Sequence, residues 1–250
     1  MFPNKIHLIL LFFLIDLFCS SSYAQIANKE IKFYNPDKRF SVSIYCDYVS
    51  SAQLQPKPNS TDPIERDATI NLNGTYGFGG EISYQPPLYH LDLIFYLSTE
   101  YMKLSQNNFG LTLNDSTDIG VDEQFTVIPI EFGLKWHLPF GSDNWKIYIG
   151  GGGGIYFGKE TRSISNLQSS QISSKPDFSL NILTGFDYFF ERNLSANFEL
   201  KFREAAFDSK SSFPAGTIIV SGNQYQLENP FYTKFIADGV RISLGLKYYF

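Results

Sequence analysis

Val240-Arg241-Ile242-Ser243-Leu244-Gly245-Leu246-Lys247-Tyr248-Tyr249-Phe250 is the stretch that decides the fold. At period two, Val240, Ile242, Leu244, Leu246, Tyr248 and Phe250 share one face. Arg241, Ser243, Gly245, Lys247 and Tyr249 share the other. Successive side chains of a strand point to opposite faces, so this is a strand with one apolar and one polar side. Left unpaired, such an edge is an aggregation hazard. A closed barrel in which the last strand pairs with the first removes the edge.

Seven earlier stretches read the same way. Strands are predicted over Phe40 to Val49, Thr69 to Tyr84, Leu91 to Lys103, Gln124 to Leu138, Trp145 to Phe157, Asp177 to Phe190 and Leu194 to Arg203. Pro129 inside the fourth is awkward in a central ladder and predicts a bulge. Long connections (Ser50 to Ala68, Leu104 to Glu123, Gly158 to Lys175, Glu204 to Tyr232) alternate with short ones at Gln85-Pro86-Pro87, Pro139 to Asn144 and Glu191-Arg192-Asn193. Eight strands with this alternation predict an all-β fold, an eight-stranded antiparallel up-and-down transmembrane β-barrel with short periplasmic turns and long outer loops. Each stretch has the roughly 9 to 11 residues that a tilted strand needs to cross a bilayer.

Composition agrees. Aromatic residues are 17% of the 250, with 24 Phe and 16 Tyr, while charged residues are only 18%. A net charge of −5 argues against nucleic acid as a partner, since no basic surface stands ready for phosphates. Residues 1–24 read as a signal peptide: Lys5, an apolar run from Ile6 to Phe18, and a small-x-small site at Ser22-Tyr23-Ala24. The run is shorter than the roughly 20 residues of a spanning helix. Residues 25–39 read as a short periplasmic N-terminal segment and 40–250 as the barrel domain. Leader and even strand count place both termini in the periplasm. With Cys19 removed, Cys46 is the one thiol left and no internal disulfide forms.

Periodicity alone does not say whether the apolar face meets lipid or a core. The polar face decides. It mixes Ser, Gly and Asn with charges of both signs, among them Glu81, Glu100, Glu131, Lys135, Glu199, Lys201, Arg203, Arg241 and Lys247. Small residues suit the narrow lumen of eight strands, where opposite charges pair. Tyr84, Trp136, Tyr188 and Tyr248 are then expected at the periplasmic rim of the apolar face, and Tyr48, Tyr101 and Phe157 at the outer rim. The soluble rival is a lipocalin-like barrel with its apolar face inward.

The terminal Phe250 behind alternating hydrophobics resembles the C-terminal signal of bacterial outer-membrane barrels. Gly80-Glu81-Ile82-Ser83-Tyr84, Ser98-Thr99-Glu100-Tyr101, Val127-Ile128-Pro129-Ile130-Glu131-Phe132-Gly133-Leu134-Lys135 and Ile147-Tyr148-Ile149-Gly150-Gly151-Gly152 together resemble the small outer-membrane β-barrel proteins of Bacteroidetes that include the PorT-like group. The resemblance covers residues 40 to 250. It implies an eight-stranded barrel in the cell outer membrane of a Gram-negative bacterium, inserted by the barrel-assembly machinery through the strand ending at Phe250. Outer-membrane lipid and lipopolysaccharide become the surroundings, and an envelope or secretion protein a further partner. It supplies no catalytic residues.

The residues themselves suggest no catalytic, cofactor-binding or metal site. The run Gly150 to Gly154 lacks the Lys-Ser/Thr of a phosphate loop, and Ile155 breaks the Gly-x-Gly-x-x-Gly spacing. The glycines instead make room for aromatics such as Tyr148 and Tyr156, or permit curvature. His90 and His137 read as structural surface residues, with no His placed for a lipid-modifying hydrolase. Asp115, Asp118, Asp122 and Glu123 read as solvated loop acids, not an EF-hand. The functional expectation is a structural or interaction barrel with a plugged lumen. A narrow channel is the alternative, and a lipid-modifying enzyme the weaker one.

Overall fold

The computed structural model describes residues 38–87, 92–113, 117–142, 144–220 and 223–250. The leader, Cys19, His90, Asp115 and most of the polar lead-in lie outside these residues. In chain order the strands are β1 (Phe40–Val49), β2 (Ala52–Gln55), β3 (Ile70–Leu72), β4 (Thr75–Tyr84), β5 (Leu93–Leu113), β6 (Thr117–Ser142), β7 (Trp145–Ile164), β8 (Leu167–Gln168), β9 (Ser170–Lys175), β10 (Asp177–Glu191), β11 (Leu194–Ser212), β12 (Thr217–Val220), β13 (Asn223–Gln226) and β14 (Phe231–Tyr249). A single helical turn, Pro63–Arg66, is capped by Asp62, whose side chain accepts from the Ile64 N–H.

β1, β4, β5, β6, β7, β10, β11 and β14 pair antiparallel in that order, and β14 closes the ring on β1. The closing ladder runs from Ser41 opposite Tyr249 to Val49 opposite Arg241. Just beyond it, the Phe250 N–H donates to the Phe40 carbonyl at 2.8 Å. The opening stretch is therefore the strand that removes the sheet's edge.

The faces are inverted relative to a water-soluble protein. Along β1, Phe40, Val42, Ile44, Cys46 and Tyr48 point out, and Ser41, Ser43, Tyr45 and Asp47 point in. Ile44 is 67% exposed and Leu244 65%, whereas Asp187 is 0% and Arg241 1% exposed. This arrangement excludes the lipocalin-like alternative. Aromatics border the apolar band at both rims. Phe40 meets Tyr84, and Trp145 meets Tyr188, each with ring centroids 4.8 Å apart, at the short-turn end. Tyr48 meets Tyr76 at 5.2 Å, and Phe78 meets Tyr101 at 5.6 Å, at the other rim.

Several strands overrun the band. β6 has 26 residues, β5 21 and β7 20, against 10 each in β1 and β4. The sequence reading ends them early because their hydrophobic phase reverses. In β11 the outward residues Phe198, Leu200 and Phe202 give way to inward Ala205 and Phe207. In β6 the outward series Ile128 to Trp136 is preceded by inward Val121, Phe125 and Val127. Beyond the band, water lies outside and the core inside. The predicted second strand is divided: β3 and β4 are separated by Asn73-Gly74.

The long connections are thus structured walls. β2 pairs with β14 and β3, and β9 pairs with β11. Above the band this leaves two arcs. One is β5–β6–β7. The other is β9–β11–β14–β2–β3. Side chains bridge the seams between them. The Gln171 amide donates to the Gly158 carbonyl at 3.2 Å and accepts from the Glu160 N–H at 2.8 Å, joining β9 to β7. Across the other seam, the amide of Asn73, just after β3, donates to Gln106 Oε1 of β5 at 3.4 Å.

Two local expectations change. The register is continuous through Pro129, and the irregularities in the pairing of β6 fall at Gln106/Phe109 and His137/Gly141. Thr99 Oγ1 reaches the Pro129 carbonyl at 2.9 Å, anchoring the ladder where proline offers no N–H. The glycine run does not chiefly serve Tyr148 and Tyr156. A Cβ at Gly152 would collide with the Phe132 carbonyl oxygen, one at Gly154 would sit 2.8 Å from Glu131 Cγ, and one at Gly153 would strike the Phe178 ring. Gly216 has open space around it. Gly152→Val should therefore destabilise the refolded barrel by roughly 1–3 kcal/mol or prevent closure. Gly216→Ala should leave the heat-modifiable band on gels unchanged.

Candidate functional site, the lumen of the barrel

The inward faces of the eight strands build one continuous charged cluster. Among the described residues, six buried carboxylates (Asp47, Glu81, Glu100, Glu131, Asp187, Glu199) meet five buried cations (Lys135, Lys201, Arg203, Arg241, Lys247) within the banded part. His137 adds a sixth group that can take a proton. In a lumen without a water column, each charge is tolerable only beside an opposite one.

The pairs are stacked in layers. Nearest the short turns, Asp187 accepts from Asn197 at 2.6 Å, Tyr249 at 2.9 Å and Lys247 at 3.3 Å. In the next layer Lys135 lies 2.7 Å from Glu81 and 2.8 Å from Glu199. Its ammonium sits 5.0 Å from the centroids of both Tyr96 and Tyr148. Above them Arg241 bridges Asp47, Glu100 and Glu199 at 3.0, 2.9 and 3.1 Å, with its guanidinium 4.5 Å from the Tyr45 centroid. Lys201 pairs with Glu131, and Arg203 with Glu100. The rings take up the volume between charges and supply cation–π attraction.

Two apolar layers and a polar one complete the lumen at the long-loop end. Leu54 and Leu72, carried in by β2 and β3, pack with Met102, Phe125, Phe207 and Phe235. The Phe125 and Phe207 centroids each lie close to Phe235, at 5.0 Å. Beyond this layer sit Glu123, Glu160 and Arg162, all buried. Phe213, Phe231, Ile218 and Leu227 then form the outermost layer.

Two sequence-based expectations are corrected here. His137 is not on the surface: it is 2% exposed inside the lumen, with Nδ1 3.2 Å from Asp92 and Nε2 3.8 Å from Asp187. It alternates in phase with Lys135 on an inward face, and that phase is the signal that could have placed it. Glu123 is not a solvated loop acid. It is 1% exposed, and Arg162 Nε donates to it at 2.7 Å. Its neighbour Asp122 points outward and is exposed. Among the described residues no group of three or more His, Cys, Asp or Glu side chains is placed to hold a metal.

No family model matches the chain, and no curated protein matches it. Among solved structures it is similar to the outer membrane protein OprG from Pseudomonas aeruginosa, at 12% identity and a TM-score of 0.60, over 88% of this chain and 99% of that one. A fainter likeness links it to Ail, the attachment invasion locus protein of Yersinia pestis, at 13% identity and a TM-score of 0.41, over 85% of this chain and 99% of that one. The OprG match establishes the fold as that of a small outer-membrane β-barrel.

Arg241 bridges three carboxylates; on its removal Glu100 keeps Arg203 and Glu199 keeps Lys135, while Asp47 loses the cation it pairs with. Arg241→Met should cost about 3–5 kcal/mol in denaturant unfolding of detergent-refolded protein. Adding Asp47→Asn should recover part of that loss, because the carboxylate left without its cation is then neutral.

Proposed function

We propose that the protein is an integral barrel of the Gram-negative outer membrane whose lumen is sealed, and that it serves as a structural or interaction component, not as a channel or an enzyme. The observation that carries this reading is the stack of mutually paired buried charges beneath two apolar layers. A conducting pore needs a hydrated path, and here the side chains that would line it are buried against one another.

The membrane assignment rests on the outward apolar band and its aromatic rims. The N-terminal segment 25–39 and the short turns then belong to the periplasm and the collar of long strands to the outside. Lipid and lipopolysaccharide surround the band, and β14, ending beside Phe250, is the strand the barrel-assembly machinery would engage. The collar offers the large structured surface on which an envelope or secretion partner would dock. A PorT-like contribution to secretion is the finer form of this reading.

Purified protein in planar bilayers should give no reproducible unitary conductance. Regular steps would overturn the sealed lumen and favour a narrow channel. Leu244→Arg, on the outward face, should cost roughly 2–4 kcal/mol in lipid vesicles. A negligible cost would remove the lipid contact on which the membrane assignment stands.

A further inference from the structure

The Glu123–Glu160–Arg162 cluster lies beyond the banded lumen and has no part in sealing it. It spans the two arcs of the collar. Glu123 stands on β6, and Glu160 and Arg162 on β7, in the first arc. From the second arc, Thr233 Oγ1 of β14 donates to Glu160 Oε2 at 2.5 Å, and Ser211 Oγ of β11 donates to the same atom at 3.2 Å. The Phe231 ring of β14 covers the Arg162 guanidinium at 4.3 Å. The backbone N–H of Glu160 also donates to Oε1 of Gln171, the residue that bridges the β7–β9 seam.

The charges of this compartment do not balance. Two carboxylates face one guanidinium, with Arg162 Nη2 3.7 Å from Glu160 Oε1. Both carboxylates are at least nine-tenths buried. Glu123 Oε1 and Glu160 Oε1 accept no hydrogen bond among the described residues. The other groups around the pair are neutral: Gln106 opposite Glu123 on β5, Gln171 on β9, Ser209 and Ser211 on β11, and Thr233 on β14. A buried carboxylate without a counter-charge takes up a proton instead of remaining ionised.

We propose that Glu123 carries a proton and donates it in a hydrogen bond to Glu160 Oε1, and that this bond, by fixing the Glu160 side chain of β7 where Thr233 and Ser211 of the second arc reach it, keeps the two arcs of the collar joined. Burial pushes the Glu123 carboxyl well above the usual carboxylate range, and Glu160 adds to the shift against the pull of Arg162. The sign follows from a folded-state value raised above the unfolded one, which is about 4.3 for glutamate. The stabilisation is fully present below that unfolded value and is lost as pH rises through the folded one. Alkaline pH thus sets two carboxylates against each other in a dry compartment and loosens the seams. A cation in place of the proton would have to sit beside the Arg162 guanidinium.

The test uses the full-length refolded barrel. Infrared spectra at neutral pH should show the carbonyl stretch of a buried protonated carboxyl, and the band should vanish in Glu123→Gln. The melting temperature of the wild type should fall on going from acidic to alkaline pH, and spin labels across the β7–β9 seam should move apart. Glu123→Gln, whose amide donates permanently where the proton did, should flatten both responses while keeping the barrel folded. A missing carboxyl band, or an unchanged pH response in Glu123→Gln, would overturn the proposal. A neutral-pH melting temperature lowered by a chelator would assign the position to a divalent cation and overturn it as well.

Discussion

Eight strands enclose a space that side chains can fill and a column of water cannot. Every charge placed on an inward face must therefore find its counter-charge on a neighbouring inward face. Arg241 does so three times over, and Lys135 twice. The tyrosines Tyr45, Tyr96 and Tyr148 separate these pairs and lie against the cations. Small residues opposite the rings leave them room, as Gly133 does for Tyr96. The outward faces are free of such demands and carry aliphatic and aromatic side chains throughout the band.

Above the band the solvent changes and the pattern reverses. Outward Lys103, Gln124, Thr126 and Lys159 replace apolar residues, while inward Leu104, Phe125 and Phe207 build a dry layer. The pairing of β5, β6 and β7 runs on through this reversal, with a register shift at Gln106/Phe109. On the other side the chain leaves the ladder and returns as β2, β3 and β9, dividing the collar into arcs joined by side chains. The strength of that joint then depends on polar groups such as Gln171, Glu160 and Thr233 instead of on a main-chain ladder.

This explains what could be read from the chain. The eight strands, their order and the inward charges were legible because each stretch within the band keeps one hydrophobic phase over its whole length. The strand extensions were not, because a search for one phase stops where the phase reverses between Arg203 and Ala205. Glu123 looked like a loop acid for the same reason. His137 shares the inward parity of Lys135, a signal that its nearness to a turn masks. The partner of Glu123 lies 39 residues away on β7, a distance that no local pattern encodes.

Cys46 offers the most direct check on the central arrangement of lipid outside and charge inside, since it is exposed on the outward face of β1 between Ile44 and Tyr48. A nitroxide attached to Cys46, with Cys19 replaced, would be placed in lipid bilayers and its collisions with oxygen and with a water-soluble nickel complex compared by electron paramagnetic resonance. Frequent collisions with oxygen and few with the nickel complex are the predicted result. Free access to the nickel complex, or a label immobilised within a protein core, would contradict the arrangement.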